Sequence, residues 1–125
     1  ATVGDIVKNE IETAILNVSI SAHMPDCLEM PYRPSVLNAG LPGEKKYCYR
    51  LAGNSCLAGD VLGDYSFDTP LSPGDKIIFE DMIHYTMVKT TFFNGVKHPS
   101  IGIWENNQFR LLRKFSYQQF KDKLG

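Results

Sequence analysis

Three clusters of side chains in this 125-residue sequence could bind a ligand or carry out chemistry. The first, residues 23–34 (HMPDCLEMPYRP), combines an imidazole, two carboxylates, a phenol and a guanidinium with prolines that stiffen the backbone. Loops that a scaffold holds rigid are common places for binding residues. An ordinary surface loop with locally paired charges has the same composition, and the pattern alone slightly favours that simpler interpretation.

The second cluster, residues 53–65 (GNSCLAGDVLGDY), places Cys56 among glycines that let a ligand approach the backbone closely. A cysteine near a carboxylate can act as an acid or as a nucleophile. The alternative is a small, buried and inert cysteine in a turn between two strands, which is the commoner case.

The third cluster, residues 84–95 (HYTMVKTTFFNG), is predicted to be a strand over 84–93 that ends at a hairpin turn, Asn94-Gly95. Tyr85 could donate its hydroxyl to a phosphate there, although the pattern alone favours a plain strand with a tyrosine on one face. Metal binding is not supported, because the three histidines are far apart and no CxxC pair exists. The phosphate-binding glycine loops and the GxSxG elbow are also absent from the sequence.

Composition excludes several classes of protein. Lys and Arg total 13 against 14 Asp and Glu, so the net charge of −1 argues against nucleic acid as a partner. No apolar run approaches the roughly 20 residues that span a bilayer. An odd number of cysteines, three, is poor material for a disulfide framework and indicates a reducing cytoplasm. The length and the 43% hydrophobic content predict one domain over 1–125 with no internal boundary.

Strand signals dominate the elements that must position these clusters. Short strands are predicted over 2–7, 12–18, 46–51 and 76–80, and a hairpin over 100–112 turns at Asn106-Asn107. Prolines and glycines in 22–43 exclude long regular elements there. Ser116 can cap a helix at the C-terminus. The sequence therefore predicts a mainly β domain, a Greek-key-like β-barrel or sandwich with one C-terminal helix.

Taken in order, three segments resemble a known family. HMPDCLEMPYRP, LAGNSCLAGDVLGDYSFD and PLSPGDKIIFEDMIHYTMVKTTFFNG look like the C-terminal portion of the carboxynorspermidine/carboxyspermidine decarboxylases. These are fold-type-III, pyridoxal-phosphate-dependent enzymes related to ornithine and diaminopimelate decarboxylases. The resemblance covers nearly the whole chain and implies the C-terminal β-domain of a two-domain enzyme.

The other domain implied by the resemblance is a (β/α)₈ barrel, which carries the Schiff-base lysine and most of the phosphate cradle. Such a barrel needs about 250 residues, so this sequence does not contain it. Lys89 does not match the family's Schiff-base segment. The chain alone is therefore expected to be incomplete for catalysis.

The resemblance also implies roles for individual residues. Cys56 matches the cysteine that the second subunit of a homodimer brings beside the carbon that is protonated after carbon dioxide leaves. Tyr85 matches the tyrosine that contacts the cofactor phosphate, and Phe93, in the FNG segment with Asn94, would form part of the substrate wall. Asp26 would bind a cationic substrate nitrogen through a charge-assisted hydrogen bond. Weaker candidates for substrate binding are Glu29, Asp60 and Asp64.

The implied function is decarboxylation of carboxynorspermidine or carboxyspermidine to norspermidine or spermidine, in polyamine biosynthesis, by a cytoplasmic homodimer with shared active sites. Leu57 stands where ornithine decarboxylases have an acidic residue, which counts against a short diamine-forming substrate. Two alternatives stay open: a sibling activity such as diaminopimelate decarboxylation, and a non-catalytic β-domain that mediates dimerisation or regulates a full-length relative. The joint presence of Cys56, Asp26 and Tyr85 favours the enzyme.

Overall fold

A computed structural model describes residues 1–56 and 58–125, so the interpretation of Leu57 lies outside the described residues. Its main feature is a four-stranded sheet in sequential order. β1 pairs antiparallel with β2, β2 parallel with β3, and β3 antiparallel with β4. The strands are β1 (Val3–Val7), β2 (Thr13–Leu16), β3 (Tyr47–Ala52) and β4 (Val61–Phe67).

The hydrophobic core covers one face of this sheet. Alternate residues of a strand point to the same side, so Tyr49 and Leu51 of β3 are buried together with Tyr65 and Phe67 of β4. The Tyr65 hydroxyl donates to the Pro34 carbonyl at 2.8 Å. This bond ties the proline-rich segment, which has no long regular element, to the sheet.

Short helical elements form a second layer, which we call the helical layer. It consists of α1 (Ile20–His23), α2 (Asp26–Glu29), α3 (Tyr85–Lys89) and the 3₁₀ turn Phe93–Gly95. Helix α1 contacts the other three elements. Buried Ile20, Met24 and Cys27 form a small core of their own beneath this layer.

The C-terminal part is a hairpin followed by a helix. Strands β5 (Ile101–Glu105) and β6 (Gln108–Arg113) pair antiparallel. Asn106 and Asn107 have φ of 50° and 58°, the left-handed backbone that a tight two-residue turn requires. Helix α4 (Tyr117–Leu124) begins at a capping box formed by Ser116 and Gln119. These observations confirm the predicted hairpin and C-terminal helix.

The mainly β architecture is confirmed, but three predictions of local structure are wrong or incomplete. Within 84–93 the structure has helix α3 at Tyr85–Lys89 and no strand, and Asn94-Gly95 lies in the 3₁₀ turn and not in a hairpin. Residues 76–80 make only isolated bridges, Thr2↔Lys76 and Val36↔Phe79. Strand β4 begins in the glycine-rich region, where the sequence pattern predicts no strand.

Tertiary contacts explain why Tyr85–Lys89 is helical and 84–93 is not a strand, despite the β-branched residues of this segment. The Thr86 hydroxyl is buried against the Asp26 carboxylate at 2.8 Å. The Thr90 hydroxyl donates to the Thr86 carbonyl at 2.7 Å, and the Thr91 N–H donates to the Ala22 carbonyl at 2.8 Å. These contacts override a strand preference that depends strongly on surroundings.

Among the described residues, no helix is long and apolar enough to cross a membrane. No group of three or more His, Cys, Asp or Glu side chains in 1–56 and 58–125 is arranged to hold a metal ion.

Candidate active site

Cys56 lies in the loop between β3 and β4, and its side chain is exposed. Its sulfur accepts a hydrogen bond from the Asn94 side-chain amide at 3.0 Å. The alternative of a buried, inert cysteine therefore does not apply to Cys56. It applies to Cys27, which is buried in the helical layer, where burial raises the pKa of its thiol.

The Cys56 loop is held in place by the buried Asp60, which is 3% exposed. One carboxylate oxygen accepts from the Ser21 N–H at 2.8 Å. The other accepts from the Ser55 N–H at 3.0 Å and from the Ser55 hydroxyl at 2.7 Å. These bonds attach the residue preceding Cys56 to the first turn of α1.

Two further features of Asp60 agree with this structural role. Burial alone would raise its pKa, but the hydrogen bonds donated by Ser21 and Ser55 outweigh burial and lower the pKa below its usual value. A Cβ at Gly53 would lie 2.2 Å from the Asp60 carboxylate, so only glycine fits at the base of the loop. Both carboxylate oxygens of Asp60 therefore accept hydrogen bonds from residues of this chain, Ser21 and Ser55, which agrees with a structural role.

Asp26 is also buried, at 1% exposure, and it joins two parts of the helical layer. A single carboxylate oxygen, Oδ2, accepts from the Tyr32 hydroxyl at 2.5 Å and from the Thr86 hydroxyl at 2.8 Å. The other oxygen, Oδ1, is buried and has no hydrogen-bond partner among the described residues. Burial of the phenol, and next its bond to Asp26, raise the pKa of Tyr32.

Tyr85 is the first residue of α3, directly before Thr86, and is 65% exposed. Within residues 1–56 and 58–125 its hydroxyl makes no hydrogen bond, so it is open to an external acceptor. At the other end of α3, Lys89 forms an ion pair with the exposed Glu29. Asp26 and Glu29 thus fasten α3 to α2 at both ends.

Phe93 is 44% exposed and directly precedes Asn94 in the 3₁₀ turn. The structure therefore separates the predicted site residues into two groups. The first group, around the Cys56 thiol, contains Cys56, Asn94 and Phe93. The second group, around the Asp26 carboxylate, contains Asp26, Glu29 and Tyr85. Asp60 supports the loop that carries Cys56.

Asp64 belongs to neither group. It lies on β4 and forms a two-point ion pair with Arg50 of β3, at 2.8 and 3.1 Å. The Arg50 guanidinium lowers the pKa of the Asp64 carboxyl. This ion pair joins two neighbouring strands of the sheet.

The roles of Asn94, Ser55 and Thr86 are not predicted by the sequence. Each makes its contact with a residue that the sequence had singled out, namely Cys56, Asp60 and Asp26 respectively. Ser55 offered a local signal, since a hydroxyl five positions before an aspartate is within reach across a tight loop. Asn94 and Thr86 offered none, because their partners are 38 and 60 positions away.

Two exposed groups fit pyridoxal phosphate. The free Tyr85 phenol can donate a hydrogen bond to a phosphate oxygen, and the Cys56 thiol can exchange a proton with a bound substrate. A cavity of about 490 Å³ is lined by apolar side chains that include Met24, Phe79 and Phe115, and by Thr86, the partner of Asp26. None of the predicted site residues lines it.

Comparison with known proteins identifies the family. The family described as "Pyridoxal-dependent decarboxylase, C-terminal sheet domain" matches residues 1–83. A carboxyaminopropylagmatine decarboxylase from Synechocystis sp. is 57% identical over 100% of this chain and 33% of its own length. A carboxynorspermidine/carboxyspermidine decarboxylase from Campylobacter jejuni is 46% identical over 96% of this chain and 35% of its own length.

Solved structures agree. The crystal structure of carboxynorspermidine decarboxylase from Campylobacter jejuni, complexed with norspermidine, superposes with a TM-score of 0.92 at 44% identity. That match covers 98% of this chain and 36% of the other. A diaminopimelate decarboxylase from M. jannaschii, at 16% identity and a TM-score of 0.73, shares the fold.

The chain spans about a third of the length of the curated relatives it matches. The matching family model describes the C-terminal sheet domain of such enzymes. The chain belongs to the pyridoxal-dependent decarboxylase family, as a C-terminal sheet domain.

Proposed function

We propose that the protein containing this chain is a pyridoxal-phosphate-dependent decarboxylase of carboxylated polyamines, and that this chain supplies the sheet-domain half of its active site. The observation that carries the proposal is the exposed Cys56 thiol, held by a loop that is anchored through Asp60 and capped by Asn94. When bound, pyridoxal phosphate supplies the electron sink that allows carbon dioxide to leave.

The residues of this chain have distinct tasks in the proposal. The Tyr85 hydroxyl donates to the cofactor phosphate. Cys56 delivers a proton to the carbon that has lost carbon dioxide. Phe93 forms an apolar wall beside the substrate's methylene chain. The Schiff-base lysine comes from outside this chain.

The acidic candidates divide by exposure. Glu29 has an exposed carboxylate that can bind a substrate ammonium directly, in exchange for Lys89. Asp26 is buried, with one oxygen unpartnered among the described residues, so it attracts the cation through a low-dielectric interior. Asp60 positions Cys56.

Two substrate assignments follow from the relatives. Carboxynorspermidine or carboxyspermidine is supported by the enzymes from Campylobacter jejuni, at 46% identity, and Herminiimonas arsenicoxydans, at 37%. Carboxyaminopropylagmatine is the second candidate, because the relative with that activity is 57% identical. Both assignments share a cationic chain joined to an amino-acid end.

We further propose a cytoplasmic homodimer in which each active site combines the two subunits. Three free cysteines, Cys27, Cys48 and Cys56, support a reducing compartment. Light scattering of the holoenzyme at micromolar concentration should give the mass of two subunits, and a monomer with full activity would contradict the shared site.

The function is tested by incubating the purified holoenzyme separately with carboxynorspermidine, carboxyspermidine, carboxyaminopropylagmatine and diaminopimelate. We expect carbon dioxide release and the matching decarboxylated product from at least one of the first three, detected by mass spectrometry. Preference for diaminopimelate would support the sibling activity. No release from any substrate, with cofactor bound, would support a non-catalytic domain.

A further inference from the structure

We infer that Asn94 is a positioning residue for Cys56, orienting its S–H bond outward and stabilising the thiolate left after proton transfer. The inference rests on the proposed function, in which Cys56 is the proton donor. It adds a residue for which the family resemblance supplied a match but no task.

The geometry of the contact sets the direction of the S–H bond. The Asn94 side-chain N–H donates to the Cys56 sulfur at 3.0 Å, so a sulfur lone pair faces the amide. The thiol hydrogen must then point away from Asn94. Because Cys56 is exposed, that direction is available to a substrate outside this chain.

The backbone fixes where the amide stands. Asn94 has φ of 56° and ψ of 19°, in the left-handed region that asparagine, aspartate and glycine tolerate best. Gly95 follows with φ of 69°, and its N–H donates to the Phe92 carbonyl at 2.8 Å. A side chain at position 94 is therefore carried on a defined turn.

The amide and the sulfur are attached to the same short helix. The Asp60 carboxylate holds the Cys56 loop to the N–H of Ser21 in α1 at 2.8 Å. The Thr91 N–H holds the 3₁₀ turn to the carbonyl of Ala22, the next residue of α1, at 2.8 Å. Helix α1 thus sets the distance between the Cys56 loop and the 3₁₀ turn, so the fold itself brings the Asn94 amide to the Cys56 sulfur.

The contact affects the transfer of a proton from the Cys56 thiol to the substrate carbon. The electron pair left on the substrate carbon takes the thiol proton, a C–H bond forms, and the S–H pair stays on sulfur as a thiolate. The Asn94 N–H, already directed at that sulfur, stabilises the negative charge. Water from solvent then returns the proton to sulfur before the next turnover.

The test uses the holoenzyme with two substitutions that suit the left-handed backbone. Asn94→Asp keeps the shape but replaces the N–H donor by a carboxylate oxygen, whereas Asn94→Gly removes the side chain. Asn107→Asp is the matched control, since Asn107 has φ of 58° in the β5–β6 turn and is not one of the candidate site residues. Thermal unfolding and the visible absorbance of the cofactor check that each variant is folded and loaded.

Two readouts report on the sulfur directly. Iodoacetamide alkylation of Cys56, measured by peptide mass spectrometry relative to the exposed Cys48, should fall about tenfold in Asn94→Asp, because the thiolate is the reactive form. In the same variant kcat should fall about tenfold with KM unchanged. Asn94→Gly should lower kcat about fivefold, as expected for one lost hydrogen bond. Asn107→Asp should change neither readout.

Unchanged alkylation and unchanged kcat in Asn94→Asp would overturn the inference, provided that Cys56→Ala inactivates the enzyme. If Cys56→Ala itself retains full kcat, the proposed function of the thiol fails instead. Should Asn94→Asp not fold, Asn94→Gly decides by the same two readouts.

Discussion

Asp26 and Asp60 are both almost fully buried, at 1% and 3% exposure, but their hydrogen bonds are distributed differently over the two carboxylate oxygens. Asp60 divides its donors between both carboxylate oxygens, with Ser21 on one and Ser55 on the other. Asp26 receives both of its donors, Tyr32 and Thr86, on a single oxygen.

This difference decides what an amide can replace. At position 60 either orientation of an asparagine would turn its NH₂ toward a backbone N–H, of Ser21 or of Ser55. At position 26 an asparagine oxygen can accept from both hydroxyls, while its NH₂ takes the place of the unpartnered oxygen. The same substitution should therefore be costly at one site and mild at the other.

The comparison also shows how buried acids serve exposed groups. Asp60 holds Ser55, which directly precedes the exposed Cys56. Asp26 holds Thr86, which directly follows the exposed Tyr85. In both cases the carboxylate lies beneath the surface, and its neighbour in sequence presents the reactive side chain.

The largest expected effect comes from removing the exposed group itself. In the holoenzyme Cys56→Ala should lower kcat by about 10²- to 10⁴-fold, the usual contribution of a positioned acid or base. Cofactor absorbance, KM and unfolding temperature should stay unchanged, because the side chain is exposed. Steady-state kinetics measure the effect, and Cys48→Ala, at another exposed cysteine, is the control. Equal kcat in both variants would contradict the role of Cys56.

The next largest effect is expected at Asp60. Asp60→Asn should lower the free energy of unfolding by about 1–3 kcal/mol, since one buried donor is left facing another. It should also lower kcat, because the loop that carries Cys56 loses its anchor on α1. Urea denaturation and kinetics measure the two effects. Asp68→Asn, at an exposed surface ion pair with Lys45, should change neither.

The pH dependence of stability follows from the lowered pKa of Asp60. A carboxyl whose folded pKa lies below its unfolded value stabilises the fold above the unfolded pKa and loses that contribution as pH falls through the folded pKa. Urea midpoints of the wild type should therefore decline below about pH 4. The decline should be shallower in Asp60→Asn. If the urea midpoints of the wild type and of Asp60→Asn declined in parallel with falling pH, the ionised Asp60 carboxylate would not be stabilising the fold.

Local patterns in the sequence predicted the elements that local contacts form. Strand β3, the β5–β6 hairpin and the capped helix α4 all appear where they were expected. The family resemblance supplied the sheet domain and the candidate Cys56. Each of these depends on neighbours within a few positions or on an ordered set of motifs.

Long-range contacts account for what the sequence did not reveal. Helix α3 replaces a predicted strand because Thr86 is bonded to a residue 60 positions away. The positioning role of Asp60 depends on Ser21, which lies 39 positions before it. An aspartate in a polar loop can bind substrate or can hold the loop in place. Only the position of its hydrogen-bond partners in the fold distinguishes the two roles.

The smaller of the two aspartate effects on stability, and the sharpest test of the comparison, is expected at Asp26. Asp26→Asn should change the free energy of unfolding by less than about 1 kcal/mol, because one amide oxygen can accept from both Tyr32 and Thr86. The substitution removes a negative charge, so KM for the cationic substrate should rise while kcat changes little. Urea denaturation beside Asp60→Asn and steady-state kinetics measure both quantities. A loss of stability equal to that of Asp60→Asn would show that the second oxygen of Asp26 contributes as much as the first, and an unchanged KM would remove Asp26 from substrate binding.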